Sequence, residues 1–484
     1  MLSELIPDVS IPADVSVGGL ALDSRRAQAG DLFLAVPGGV HDGRAFIDDA
    51  ISRGVAAVLY ESDGRHGDCP VPCISIDNLS AEVGRIADRF FGHPSAGLLV
   101  IGVTGTNGKT SCTHYIAQAL CKLGRKCGVI GTIGTGLPDD LQDLGMTTPD
   151  AIALQGSMAR LVELEATAVA LEASSHGLAQ GRLNGTAMDV AVFTNLTRDH
   201  LDYHESLADY RNAKKRLFEW EGLTAAVLNI DDEFGVALRE AISDRVTKLT
   251  YSRNDASADI NCTGISFRED GMEISLETPW GAQRISTSLI GDFNVSNLMA
   301  VVGVLGVMKF SSGEIESALS ELRTVRGRMD VLRREGLPTV VIDYAHTPDA
   351  LEKAIVAARK HCRGRLWCVF GCGGDRDKGK RPLMGAVASE LSDLAVITDD
   401  NPRTEPSMSI IEDVLEGVKS REHVSVEPDR AKAIASALAE AQPDDIVLLA
   451  GKGHETYQEI NGERVDFSDY AEVEKYFTEH AMER

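Results

Sequence analysis

One arrangement recurs along most of this chain and limits the folds open to it. A short apolar, β-branched run stops, and a polar cluster bearing glycine or charge follows at once. In the middle of the chain LLVIGV leads into TGTNGKT, TAVAL into EASSH, VAVFT into NLTRDH and AAVLN into IDDE. Further on TVVID leads into YAHTP, LWCVF into GCGGDRDKGKR, LAVIT into DDNPR and DIVLLA into GKGHE. Runs this apolar suit strands covered on both faces, and helical patterns lie between many of them, which together predict parallel α/β sheets. Helices are expected at 111–124 and 348–360, the second with Thr347 as N-cap and Pro348 in its first turn. Open parallel sheets hold ligands outside the carboxyl ends of their strands, so the eight clusters mark two ligand-binding edges.

At 484 residues the chain is too long for one core, and roughly 150 residues per domain predicts about three. Gly, Pro and Ser in FGHPSAG (91–97) and the charged stretch RGRMDVLRREGLP (326–338) place cuts that give domains 1–93, 94–330 and 331–484. From 258 to 292 the text alternates between polar and apolar, which predicts a small antiparallel part inside the middle domain.

A net charge of −25 repels polyanions and argues against a nucleic-acid partner. Basic residues are instead concentrated in DSRR, AKKR, RTVRGR and GDRDKGKRP, which leaves anionic small molecules as ligands. The N-terminus has no basic region of the signal-peptide kind, and no apolar run approaches the 18 or so residues of a membrane span. Nine cysteines without a CxxC pair predict reduced thiols and a cytoplasmic setting, with Cys368 and Cys372 as core filler.

The stretch VIGVTGTNGKTS departs from the common phosphate loop, because Val103 stands where the first glycine would be. Gly105, Gly108, Lys109 and Thr110 still lie between a strand and a helix, where backbone N–H groups can cradle phosphate, Lys109 can reach β and γ oxygens and Thr110 can reach Mg²⁺. Glu172 follows a buried strand, which favours a metal or polar-network role over a free carboxylate. His200 could serve a second cation, although a lone histidine is more often structural. Lys214, by itself, reads as a solvated helix position. Arg376, Asn401, Arg403 and Glu455 come from three strand ends and offer guanidinium groups for carboxylates and a carboxylate for an ammonium, as recognition of an amino acid requires. Surface ion pairs are the alternative.

With EASSHG, TNLTRDHLDYH, AKKRLF, GDFNVSN, RGRMD, DYAHTPDAL, GCGGDRDKGKRP, DDNPR and GKGHE following GTNGKT in this order, the sequence resembles the Mur ligase family. The resemblance implies an N-terminal domain for the UDP end of a substrate, a central P-loop ATPase and a C-terminal Rossmann-like domain for the incoming amino acid. It implies ATP and Mg²⁺ as cofactors. The implied substrates are ATP, a UDP-N-acetylmuramoyl dipeptide and meso-diaminopimelate, the last because DNPR marks diaminopimelate acceptors over lysine acceptors in this family.

By similarity, Gly105, Thr106, Asn107, Gly108, Lys109, Thr110, Ser111, Asn297, Arg328, Asp343 and His346 would hold ATP. Leu22, Ser24, Val40, His41, Thr147, Thr148, Ser174, Gln180 and Arg182 would hold the UDP-muramoyl dipeptide. Arg376, Asp400, Asn401, Pro402, Arg403, Gly451 and Glu455 would hold diaminopimelate. Thr110, Glu172, His200 and a carbamylated Lys214 would hold the metal, with Lys109, Lys214 and His200 catalytic; Lys214 is preferred to Lys215 by the K-x-x-L-F spacing. A monomer is expected. A lysine-adding relative, a folylpolyglutamate-synthetase-like ligase and a nucleotide-dependent switch are the alternatives.

Overall fold

The computed structural model describes residues 1–38, 42–62, 69–197 and 203–481. They form two compact units, Met1–Ile260 with Met299–Ser311, and Asn261–Leu298 with Ser312–Arg484.

The first unit carries two sheets. Strands β1 (Gly19–Ala21), β2 (Asp31–Ala35), β3 (Ala57–Glu61) and β4 (Cys73–Ile76) form a parallel sheet in that order. Its core is Leu32, Leu34, Leu59 and Ile74 beneath the helix Leu79–Phe90. That helix ends in Gly92 and His93, both at positive φ, and a 3-10 turn at Pro94–Gly97 leads into the second sheet.

The second sheet is built on β5 (Leu99–Thr104), β6 (Cys127–Gly131), β7 (Gly134–Leu137), β8 (Asp140–Gln142), β9 (Ala168–Glu172), β10 (Val190–Phe193), β11 (Ala225–Asn229) and β12 (Thr247–Ser252). Within this unit the order is β12-β11-β10-β5-β9-β6-β7-β8, parallel up to β6 and antiparallel beyond it. The order reverses around β5: β9 lies on one side of it and β10 on the other. The carboxyl end of β5 is therefore the crevice in which such sheets hold ligands.

In the second unit β13 (Ile260–Arg268), β14 (Gly271–Thr278) and β15 (Gly281–Thr287) make the antiparallel ribbon expected at 258–292. A six-stranded sheet follows, of β16 (Asp330–Leu332), β17 (Thr339–Asp343), β18 (Leu366–Phe370), β19 (Leu394–Ile397), β20 (Val424–Val426) and β21 (Ile446–Ala450). Its order is β16-β17-β21-β18-β19-β20, with only β16 antiparallel. A separate hairpin of β22 (Tyr457–Ile460) and β23 (Glu463–Asp466) follows β21.

The strands β5, β9, β10, β11, β17, β18, β19 and β21 end at the eight polar clusters. The helix Lys109–Lys122 begins two residues earlier than expected, because Gly108 at φ 86 already forms its N-cap. Thr347 caps the helix Pro348–Arg359 as expected, its side chain accepting from Ala350 N. Cys368 and Cys372 are buried in the core of the last sheet. One cysteine expectation is corrected: Cys69 and Cys73, whose Cα atoms lie 6.2 Å apart, form a disulfide, and the others are free.

Candidate active site

At the end of β5 the chain turns through Gly105, at φ 152, before entering the helix. A Cβ on Gly105 would strike Thr194 Oγ1, so only glycine lets the loop lie this close to the end of β10. The loop is tied down from that side. Thr194 Oγ1 donates to Asn107 O at 2.6 Å, Asn107 N donates to Asn195 Oδ1 at 2.9 Å and Thr106 N to Asn195 O at 2.8 Å. Thr194 and Asn195 stand in the quoted TNLTRDH stretch, but sequence reasoning took only His200 from it; their place right after a buried strand was the available signal. His200 lies outside the described residues.

Lys109 Nζ donates to Gly105 O and Thr106 O, both at 2.9 Å, which holds its charge over the loop it serves. Lys214 is a correction to its reading as a solvated helix position: it is buried, its Nζ donates to the same Gly105 O at 2.8 Å and it lies over the Tyr210 ring. Its neighbour Lys215 turns outward to Glu219, at 2.8 Å, because successive helix positions face different sides.

On the β9 side, Thr110 Oγ1 donates to Glu172 Oε2 at 3.0 Å. Glu172 is buried; Thr132 N donates to its Oε1 at 2.8 Å and Thr132 Oγ1 to its Oε2 at 3.2 Å. A Cβ on Gly131 would collide with this carboxylate, so glycine there leaves the cradle Glu172 occupies. A hydroxyl and a carboxylate beside a phosphate loop are hard oxygen donors, and they fit Mg²⁺. Ser111 is buried in the first turn of the helix.

Next to Glu172 the residues expected to hold a dipeptide converge. Thr148 Oγ1 donates to Glu172 O at 2.7 Å and lies 2.8 Å from Ser174 Oγ, and Thr147 Oγ1 lies 3.0 Å from Thr132 Oγ1. Arg182 reaches in, with Nη1 on Thr148 O at 2.6 Å and Nε on Gln180 Oε1 at 2.8 Å. Burial pulls the Arg182 guanidinium below its ordinary range, against the pull of Asp150 and Tyr203. Leu22 and Ser24 are placed elsewhere, Leu22 against the N-terminal core and Ser24 on Asp49. Val40 and His41 lie outside the described residues.

In the second unit the loops after β17, β21, β18 and β19 adjoin. Asp343 accepts from Met329 N at 2.8 Å and Ala345 N at 2.9 Å; burial raises its pKa, opposed by Arg328. Arg328 covers the Tyr344 ring, and its buried Nε has no hydrogen-bond partner among the described residues. His346 donates from Nδ1 to Tyr344 O at 2.8 Å, and burial lowers its pKa. Asn297 sits in the helix Phe293–Val307 and donates to Asn294 Oδ1 at 2.9 Å.

The DNPR loop holds Asp400, Asn401 and Pro402 buried and Arg403 half-buried at φ 53. Arg403 Nη1 donates to Gly374 O at 2.8 Å and Nε to Glu459 Oε2 at 3.1 Å, while Nη2 has no partner among the described residues. A Cβ on Gly373 would lie 2.9 Å from Arg403 Nη1 and 3.6 Å from Arg376 Cγ, so both arginines flank that glycine. Asn401 Nδ2 donates to Glu455 Oε2 at 2.9 Å. Gly451 opens the loop that carries Glu455, next to Asp400, whose carboxyl is raised by burial and opposed by Lys452 and Arg430. Beneath Arg403, buried Arg381 bonds Glu405 at 2.8 Å and Asp413 at 2.8 Å, and Asp375 N donates to Glu405 Oε1.

A glycine loop at a sheet's switch point, with a hydroxyl–carboxylate pair beside it and a second α/β sheet bearing opposite charges, suits an ATP-dependent ligase, and the matches to known families and relatives show that class. Models of the Mur ligase family match in chain order: the family catalytic domain over residues 16–90, the middle domain over 103–305 and the glutamate ligase domain over 327–453. A UDP-N-acetylmuramoyl-L-alanyl-D-glutamate–2,6-diaminopimelate ligase of Pseudomonas aeruginosa is 50% identical over 477 residues, 98% of this chain and 97% of the relative. The enzyme of the same description from Pseudomonas syringae is 49% identical over 95% of each. A solved structure of such a ligase matches with TM-score 0.75 at 35% identity over 99% of both chains. The chain belongs to the Mur ligase family.

Proposed function

We propose that the chain joins meso-2,6-diaminopimelate to UDP-N-acetylmuramoyl-L-alanyl-D-glutamate, with ATP converted to ADP and phosphate, in the synthesis of peptidoglycan precursors. A carboxylate does not accept an amine at neutral pH. A glutamate carboxylate oxygen therefore attacks the γ-phosphorus of ATP and ADP leaves. The amine of diaminopimelate then attacks the acyl carbon, loses a proton and expels phosphate.

The observation that carries the reading is that the loops after β19 and β21, which flank β18, bring Asn401 and its near neighbour Arg403 to Glu455, to which Asn401 donates. A guanidinium with an N–H edge still open meets a second carboxylate, and an acidic side chain meets an ammonium. Lysine lacks that carboxylate and would leave the open N–H edge of the half-buried guanidinium, already held by Glu459 through Nε, without a ligand acceptor. Arg376, Asp400, Pro402 and Gly451 complete the acceptor site in this reading.

The loop Gly105–Ser111 holds the phosphates, with Lys109 neutralising charge on the transferring group. Asn297, Arg328, Asp343 and His346 serve the nucleotide. Thr147, Thr148, Ser174, Gln180 and Arg182 hold the muramoyl dipeptide, and Leu22, Ser24, Val40 and His41 the uridine end. Thr110 and Glu172 would hold Mg²⁺, together with His200 and Lys214; an ammonium offers no lone pair, so Lys214 serves as its carbamate. When bound, Mg²⁺ supplies charge neutralisation to the phosphate oxygens. The domain division follows function at 1–93, 94–330 and 331–484. In this reading the protein acts in the cytoplasm as a monomer; no described helix is long and apolar enough to cross a membrane.

The test incubates the protein with ATP, Mg²⁺ and the UDP-linked dipeptide, adds diaminopimelate or lysine in parallel and follows product mass. A tripeptide product with diaminopimelate alone is expected. Product with lysine only, or with neither, overturns the reading.

A further inference from the structure

Among the described residues of the second unit, Lys452, the second residue of the GKGHE stretch, is a charged side chain with no exposure at all. A buried ammonium is costly unless it is paired and hydrogen-bonded, and Lys452 is both. Its Nζ donates to Asn401 Oδ1 at 3.1 Å and to Glu455 Oε2 at 2.9 Å. Asn401 Nδ2 donates to that same Glu455 oxygen, and Asn401 Oδ1 also accepts from Glu459 N at 3.0 Å. The three side chains close a triangle in which one Glu455 oxygen is fully used. Glu455 Oε1 has no hydrogen-bond partner among the described residues.

We infer that Lys452 is a positioning residue for the acceptor site: it never touches substrate, but fixes Glu455 so that one carboxylate oxygen is presented to the acceptor's ammonium. This rests on the acceptor role given to Glu455 above. Other charges face the triangle. Asp400 comes from the loop after β19, Arg430 from the helix Arg430–Glu440 and Asp469 from the helix Asp469–Ala481, and Tyr344 and Tyr457 supply rings. Arg430 is spent on Asp469, at 2.7 Å on two nitrogens, and on Ala450 O at 3.0 Å. Lys452 is therefore the cation in direct contact with Glu455. Without it, Glu455 keeps only the amide of Asn401 to hold it, and two buried or half-buried carboxylates, Asp400 and Glu455, are left beside each other.

The experiment is a double-mutant cycle in steady-state kinetics with the full chain, using Lys452→Met, Glu455→Gln and the double variant, with meso-diaminopimelate as acceptor. Lys452→Met removes the charge at nearly constant volume. It is expected to raise the KM for diaminopimelate tenfold or more, with KM for ATP and for the UDP-linked dipeptide within twofold and kcat within threefold of wild type. In the Glu455→Gln background the same change is expected to add less than twofold. An unchanged acceptor KM, a rise in all three KM values, or an effect that adds in full to that of Glu455→Gln overturns the inference. Lys452→Gln, which keeps a donor, is the second variant and is expected to fall between wild type and Lys452→Met. If both variants melt below the assay temperature, Lys452 belongs to folding and the inference also fails. Wild-type protein inactive with diaminopimelate would instead overturn the proposed function and leave this cycle without a substrate.

Discussion

Gly105→Ala tests whether the phosphate loop works by close approach to the end of β10. Two costs can be worked from the structure. An L side chain at this φ costs about 1–2 kcal/mol. The new Cβ also strikes Thr194 Oγ1 and lies 3.0 Å from Asn195 O and 3.1 Å from Asn195 N, none of which can retreat freely. Thr194 is buried and its hydroxyl holds Asn107 O, so moving it breaks that bond, at about 1–3 kcal/mol. The sum, about 2–5 kcal/mol, falls on the loop because the strand beneath is held by pairing on both sides. If it is expressed in nucleotide affinity, the loss is about 30-fold to 5,000-fold. Calorimetric titration with ADP reads it, with thermal melting as a control for global unfolding. Thr194→Ala removes the struck oxygen, so the double variant is expected to bind ADP at least threefold better than the two single effects combined would allow. Gly105→Ala binding within threefold of wild type, or strict additivity with Thr194→Ala, refutes the close-approach account.

Arg403→Ala removes a charge-assisted contact of about 1.5–3 kcal/mol, so KM for diaminopimelate is expected to rise about 10- to 150-fold in the ligase assay while any trace activity with lysine changes far less. Glu405, hydrogen-bonded to Arg381 and to Asp375 N, has its carboxyl lowered to about 2 from the ordinary 4.5. A depressed folded pKa gives stability that is complete above pH 4.5 and lost as pH falls toward 2, so the melting temperature of wild type should fall more steeply across that window than that of Glu405→Gln. Asp469→Ala leaves the fully buried Arg430 without its carboxylate and is expected to cost about 3–5 kcal/mol in urea unfolding of the second unit. A loss below 1 kcal/mol would mean that water or another acceptor already serves Arg430.

Much of the fold was legible because its signals are local. The strands that bear the eight clusters read as apolar, β-branched runs, and the cap at Thr347 and the turn at Gly108 follow from one or two residues' sterics and hydrogen bonding. The antiparallel ribbon read from its alternation. The phosphate loop and the DNPR loop could likewise be picked out, since each sits where a buried strand stops. Lys214 could not be placed this way. A lysine beside another lysine on a polar helix looks solvated, and only the packing of that helix over Gly105 O buries one of the two.

The sequence by itself determined that the runs before the eight clusters are strands, where they end and which residue types stand at those ends, because backbone sterics and apolar periodicity act over a few residues. Which ends adjoin was decided only by the tertiary structure. Strand order puts β9 and β10 on either side of β5, so Glu172 meets Thr110 from one side and Thr194 meets Asn107 from the other. In the six-stranded sheet of the second unit, order brings residue 401 to residue 455 and closes Lys452 between them. Those adjacencies depend on burying whole sheet faces between helices far apart in the chain, and no local run of residues encodes that choice.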